Sequence, residues 1–317
     1  MLNLSSLYLQ NLLTNNIFLG MEKLTHPKAL LFSIDLEDIR HLVPDGLKYR
    51  ERVPEMIEQF RDFLDKRNSK ATFFVVGKTA ELYPELIREI IADGHEIGCH
   101  TYDHKPLNCH TKISFKEDLL RNIETLSELG ANDIFGFRAP GLSLTAKTAW
   151  AYEVLEDLGF KYSSSVMATK SAFNGWPEFG TDNKLINNKI WEMPPTLLPN
   201  QYFSIPFASS VYFRFLPLMV SKWAVNNAFK NQKAIISYFH SFDIDYEQER
   251  FMHPGVNGSW IYNFLMYYNR KGMLEKFSRI LPEDVVIMPH YEYVEKYLTL
   301  QHLPKVKNIV VEKVEVS

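Results

Sequence analysis

The sequence predicts an α/β fold, a TIM-like (β/α) barrel of seven or eight parallel strands, on three observations. Short, nearly continuous apolar runs recur along the chain, and they alternate with segments whose apolar residues repeat at helical spacing across short connections. Polar residues able to do chemistry fall at the C-terminal ends of those runs, where barrels of this kind place their sites. With 317 residues, 46% of them hydrophobic and 14% aromatic, the chain can bury a full core.

The elements follow in order. Ala29 to Ile34 is apolar throughout, as a strand covered on both faces requires, and it runs into Asp35, Glu37 and Asp38. Val53, Met56, Ile57, Phe60, Phe63 and Leu64 form the stripe of a helix laid on a sheet. A strand from Ala71 to Val76 precedes a helix expected over Glu81 to Asp93, which Gly94 ends in a left-handed turn. The strand His95 to Cys99 leads straight into His100 and His104. Ser114 and Glu117 have the spacing of a capping box and predict a helix reaching Gly130. Ile134 to Phe137 is the next strand and ends at Arg138; a helix over about Thr145 to Leu158, closed by Gly159, precedes the strand Phe160 to Tyr162 and the run Ser163, Ser164, Ser165. Lys189 to Trp191 and Ala234 to Phe239 supply two more strands, the second ending at His240, and a helix over Met273 to Leu281 precedes a last strand, Val285 to Met288.

Composition excludes several classes. A net charge of -3 without a long basic run argues against a nucleic-acid partner. Two cysteines, Cys99 and Cys109, make no disulfide framework, and without a Cys-xx-Cys pair they do not make a zinc ribbon either; Cys99 is expected to be a small buried hydrophobe facing away from His100. Met1 to Gly20 lack the parts of a secretory signal, so the protein is expected not to be exported and to be cytoplasmic, with either Met1 or Met21 as the start. No apolar run reaches the length of a membrane span. The stretch 203–229 is unusually apolar and aromatic, expected as a helix over the barrel, with contact to the inner face of a membrane as the functional alternative. Residues 1–25 are expected as an extension, 26–300 as the barrel domain, and 301–317 as a tail or edge strand around Val306 to Val316.

His100 and His104, four residues apart, would project on one side of a helical turn and share one tetrahedral ion if a carboxylate joined them. Asp35, Glu37 and Asp38 are the candidates: one completes the metal site and another takes a proton from water, and side-chain alternation places Asp35 and Glu37 on one face with Asp38 beyond the strand end. Arg138, on a turn stiffened by Pro140 and Gly141, is expected to orient Asp35. His240, followed by Asp243 and Asp245 that could raise its pKa, suits the protonation of a leaving group.

The ordered set Ser33-Ile-Asp35-Leu-Glu-Asp38, His100-Thr-Tyr-Asp-His104, Arg138-Ala-Pro-Gly141, Ile190-Trp191 and Tyr238-Phe-His240 resembles the polysaccharide deacetylase (NodB homology) superfamily, carbohydrate esterase family 4, over roughly Ala29 to Leu298. The resemblance implies a distorted barrel that binds Zn2+ or another divalent ion such as Co2+, with Asp35 as base, His100 and His104 as ligands, Asp38 or Glu37 as the third, His240 as acid, and Pro140, Gly141 and Trp191 against substrate. It further implies hydrolysis of the N-acetyl group of an amino sugar in a surface polysaccharide or lipid-linked glycan precursor; a metal-free amidohydrolase on a small cyclic or carbamoyl substrate and a non-catalytic glycan-binding barrel are the alternatives. Two departures stand out. The commoner first motif has adjacent aspartates where this chain separates Asp35 from Asp38, a feature that, with Tyr212-Phe-Arg214-Phe-Leu-Pro217, resembles the subgroup tied to exopolysaccharide and surface glycans. The aspartate usual near the tryptophan motif is missing, which leaves Asp243 to tune His240.

Overall fold

The computed structural model describes residues 27–170, 174–198, 204–256 and 258–299; the expected extension at 1–25, the tail at 301–317 and Phe203 lie outside the described residues. Parallel strands β1 (Ala29–Leu31), β2 (Ser33–Leu36), β3 (Thr72–Val75), β4 (Glu96–Cys99), β5 (Gly136–Phe137), β6 (Tyr162–Ser163), β8 (Ile190–Glu192), β9 (Ile235–Ile236), β10 (Phe239–His240) and β11 (Val286–Met288) form the barrel wall, and β7 (Lys184–Ile186) runs antiparallel to β8. Helices α1 (Val53–Asp65), α2 (Gly77–Leu82), α3 (Pro84–Ala92), α4 (Lys112–Glu128), α5 (Ala151–Asp157), α6 (Ser210–Phe215), α7 (Leu218–Lys230), α8 (Trp260–Tyr267), α9 (Met273–Ile280) and α10 (His290–Tyr293) connect them.

The expected first strand is β1 and β2, split at Phe32, and the expected 234–239 strand is β9 and β10. Going round the wall, β9–β10 lies beside β1–β2, followed by β3, β4, β5, β6 and β8. The curl is completed by hydrogen bonds rather than by a full ladder: Thr196 N–H donates to Ile236 O at 3.1 Å, and Ile236 N–H to Thr196 Oγ1 at 2.8 Å. β11 pairs only with β1, at the N-terminal end. The barrel is therefore distorted, seven strands round with an eighth at its base.

Alternation along β1–β2 fixes what faces where. Leu30, Phe32, Ile34 and Leu36 belong to the outer core under α1, α3, α7 and α9, while Ala29 and Leu31 belong to the inner cluster with Phe74, Tyr162, Trp191 and Ile236. Two further steps up the inner face is Asp35. Gly98 must lack a side chain because a Cβ there would overlap the Phe74 ring that fills the barrel.

Three expected elements differ. The helix over 81–93 is two, because Pro84 removes a backbone donor and restarts the helix as α3 after Tyr83. The capping box of α4 lies three residues earlier than expected: Thr111 caps it and Ser114 closes the box. The helix expected from Thr145 begins at Ala151, because Thr148 Oγ1 binds back to Ser143 O and holds the preceding residues in turns. The hairpin β7–β8 was not anticipated; Asn187 and Asn188, at φ 50° and 60°, make its left-handed turn.

Phe277 on α9 binds the outer core together, stacking on Phe213 at 4.1 Å and meeting Phe32 and Phe239 edge-on at 5.3 and 5.1 Å. Phe277→Ala is expected to cost about 3–5 kcal/mol, read from urea denaturation; a loss below about 1 kcal/mol would show that the cluster closes over the gap.

Candidate active site

Four strand ends converge on Arg138. Its guanidinium, fully buried just beyond β5, donates from Nη1 to Asp35 Oδ1 and Ser33 Oγ, both at 2.8 Å, from Nε to Ser164 O at 3.0 Å and from Nη2 to Ser164 Oγ at 3.0 Å. The Phe74 ring lies under it at 4.2 Å. Arg138 thus orients Asp35, as expected, and leaves Asp35 Oδ2 facing His100 Nε2 at 3.4 Å.

His100 is the next inward residue after β4. Its Nδ1 lies 2.7 Å from Arg138 O, a carbonyl that only accepts, so Nδ1 carries the proton and the Nε2 lone pair is turned to the barrel mouth. Burial pushes the imidazole down to about 4, which keeps it neutral, as a metal ligand must be. His104 meets His100 edge-on with ring centroids 5.0 Å apart. The expected helical turn between them is absent: Thr101 and His104 have φ of 61° and 56°, and the residues between form an open loop. That loop is shaped by groups the sequence did not flag. Asp118 of α4 accepts from Tyr102 N–H at 2.7 Å and Asp103 N–H at 3.2 Å, and Asn122 donates to Thr101 O and Val75 O.

Glu37 supplies the nearby carboxylate. One ligand atom from each of Glu37, His100 and His104 lies within 4.8 Å of the others. Glu37 Oε2 is 2.6 Å from His104 Nε2 yet buried without a hydrogen bond of acceptable geometry. Burial opposes ionisation of Glu37, but the charge of His104 outweighs it and holds the carboxyl at about 2. Asp38, the other candidate, is turned away. It caps the turn Ile39–Leu42, pairs with Arg40 Nη2 at 2.6 Å and accepts from Tyr83 Oη at 2.9 Å.

On the opposite side, His240 Nδ1 is 3.2 Å from Asp243 Oδ2, and its Nε2 is 2.9 Å from Tyr238 Oη and 3.9 Å from Glu37 Oε1. Asp243 is itself held by Arg214 Nη2 at 3.0 Å and Ser210 Oγ at 2.9 Å. Burial alone would lower the pKa of His240; the hydrogen bond and charge of Asp243 reverse this and raise it. Asp245, expected to share that task, is instead spent on Arg52 at 2.8 Å.

The remaining expected residues lie further out. Trp191 pairs in register with Tyr162, one inward step below the level of Arg138, and is buried in the inner core instead of open to a substrate. Pro140 is buried and Gly141, at φ 61°, is exposed on the turn after Ala139. The adjacent Glu192, which sequence reasoning passed over, is fully buried and accepts from Ser165 N–H and Val166 N–H at 2.7 and 2.9 Å, fixing the serine run that cradles Arg138. Cys99 is buried in the outer core, facing away from His100 as expected.

Because Asp243 is what raises His240, Asp243→Asn is expected to lower the imidazole pKa followed by NMR titration; an unchanged titration would show that Asp243 does not tune it.

The chain is similar to known proteins over part of its length. Residues 44–163 match the polysaccharide deacetylase family and 164–293 a domain of unknown function (DUF3473). Peptidoglycan-N-acetylglucosamine deacetylase of Bacillus cereus is 33% identical over 100 residues, 31% of this chain and 36% of that protein. Chitooligosaccharide deacetylase of Azorhizobium caulinodans is 29% identical over 103 residues, 32% of this chain and 46% of that protein. The chain thus spans less than half the length of either relative. A crystal structure of a polysaccharide deacetylase homologue from Mycobacterium smegmatis superposes with a TM-score of 0.60 at 17% identity, over 90% of this chain and 96% of that one, and shares the fold. Residues 44–163, which carry His100, His104 and Arg138, are thus similar to the polysaccharide deacetylase (NodB homology, carbohydrate esterase family 4) superfamily.

Proposed function

We propose that this protein is a metal-dependent amide hydrolase that removes the N-acetyl group from an amino sugar of a surface polysaccharide or lipid-linked glycan precursor. The observation that carries the reading is the Glu37, His100 and His104 donor set, flanked by Asp35 on one side and His240 on the other. The relatives named for peptidoglycan and chitooligosaccharide deacetylation support the substrate class.

The donor set fits a divalent ion. One carboxylate and two imidazoles are a ligand type used for catalytic zinc. His100 is neutral and oriented through Nδ1, and Glu37 Oε2 is a buried acceptor with no hydrogen bond of its own. Zn2+ or Co2+ bound there supplies Lewis acidity toward the acetyl carbonyl and water. Asp35, gripped at Oδ1 by Arg138, offers Oδ2 to take the proton of the attacking water. The water oxygen adds to the carbonyl carbon as the C=O π pair moves onto oxygen, and when that pair returns the C–N bond breaks and His240 gives its proton to the departing amine, releasing acetate and the free amino sugar. Asp243 holds the His240 ring at Nδ1, so the proton leaves from Nε2, which gives up its contact with Tyr238 Oη to reach the amine.

Acetate release from N-acetylated oligosaccharides is expected to require a divalent ion, to stop with a chelator and to return on adding Zn2+ or Co2+. Purified protein without a stoichiometric divalent ion, together with activity that survives chelation, would sink the reading. Asp35→Asn is expected to lower kcat by about 10²–10⁴-fold while the metal stays bound. Glu37→Gln is expected to weaken metal retention and Asp38→Asn to leave it intact; the reverse pattern would make Asp38 the ligand. The acid must be protonated to act, so kcat/KM falls as pH rises through the pKa of His240. Asp243 raises that pKa, and Asp243→Asn therefore moves the alkaline limb to lower pH. A limb that stays in place would remove His240 from the acid role.

A further inference from the structure

α8 has the sequence Trp-Ile-Tyr-Asn-Phe-Leu-Met-Tyr, and not one of its residues is buried. Trp260 and Ile261 are 78% and 75% exposed, Tyr262 and Phe264 59% each. Packed against it, α6 presents Tyr212 and Phe215, and the Phe215 ring meets Tyr268 at 6.1 Å, so the two helices make one aromatic face. α8 is held by polar tethers at its C-terminal end. Arg214 Nη1 donates to Met266 O at 3.0 Å and Tyr268 O at 2.6 Å, and Arg270 Nε donates to Met266 O at 2.8 Å. The apolar side chains are therefore left pointing outward, in a helix whose burial elsewhere would have supplied its stability.

The helices that build this face carry no acidic residue, and the exposed acids beside it are Glu247 and Glu249, next to Arg250. Residues 204–242 and 258–274 contain no Asp or Glu, although the chain as a whole carries -3. Arg250 and Lys271 are exposed beside it, with the Arg250 guanidinium on the Tyr267 ring at 5.2 Å, and Lys222 is exposed on α7, the helix that follows α6. Tryptophan and tyrosine over a basic rim match the headgroup zone of a bilayer bearing anionic lipid. A second copy is disfavoured because α6 and α8 themselves hold no acid that could pair with the basic groups of a facing copy.

We propose that the face built by α6 and α8 docks peripherally on an anionic phospholipid bilayer. Arg214 joins this face to the site, because the guanidinium that holds the end of α8 also holds Asp243 behind His240. Docking thus brings the barrel mouth to the lipid surface, where a membrane-bound glycan would be presented.

The test is co-sedimentation of the full chain with vesicles of phosphatidylcholine alone or with added phosphatidylglycerol, beside light scattering for oligomeric state. Binding to the anionic vesicles, weakened by salt, is expected. Trp260→Ser combined with Ile261→Ser is expected to reduce it about tenfold or more, with circular dichroism unchanged, and Lys222→Glu with Lys271→Glu to reduce it independently of the aromatic residues. The proposal is overturned by absence of binding to either vesicle, by equal binding to both, by binding that the aromatic pair leaves unchanged, or by a dimer that the same pair dissolves. Vesicle binding is read without turnover, so its outcome stands apart from whether the chain is a deacetylase.

Discussion

A buried guanidinium organises the mouth of this barrel. Arg138 has no access to water, so its charge and its N–H groups must be answered inside the protein. Asp35 neutralises it; Ser33, Ser164 and Ser237 supply oxygens from three other places on the wall, and Arg138's own carbonyl takes the proton of His100 Nδ1. Removing either member of such a buried pair leaves an uncompensated charge, a loss of about 3–5 kcal/mol. The same interaction that holds strand ends together therefore sets the direction of the proposed base and of the first imidazole ligand.

A second buried arginine plays the corresponding part across the mouth. Arg214 and Asp243 are both fully enclosed, and their pairing leaves Asp243 Oδ2 for the backbone and ring of His240. The two arginines thus fix the two flanks, and Glu37 lies between them, reaching His104 on one side and His240 on the other. Ser241 Oγ donates to Glu37 O at 2.6 Å, tying the β2 end to the loop after β10. Asp243, three residues on from His240, is the carboxylate at its Nδ1.

Most of the site was legible because strands are read in steps of two. Asp35 and Glu37 follow Leu31 and Ser33 on the inner face, and His100 and Arg138 are inward residues at their own strand ends. What stayed hidden depends on residues far apart in sequence. The His100 to His104 loop looked like a helical turn by spacing, yet Asp118 and Asn122, more than a dozen residues on, give its backbone groups their partners and hold it open. Trp191 looked like a strand-end residue, but its register with Tyr162 places it a layer below the mouth, and Glu192 beside it serves the serine run.

By itself the sequence determined the α/β alternation, the inward positions at the strand ends and the residue types that gather there, since these follow from periodicity and local chemistry. Only the tertiary structure shows that Glu37 and not Asp38 lies with His100 and His104, because the carboxylate of Asp38 is captured by Arg40 and Tyr83, a choice made by which partners lie within reach after folding. It likewise decided that Asp243 and not Asp245 serves His240, and that α8 is left without a buried face. In each case a local pattern allows several pairings, and the barrel brings only one set of partners close enough to form.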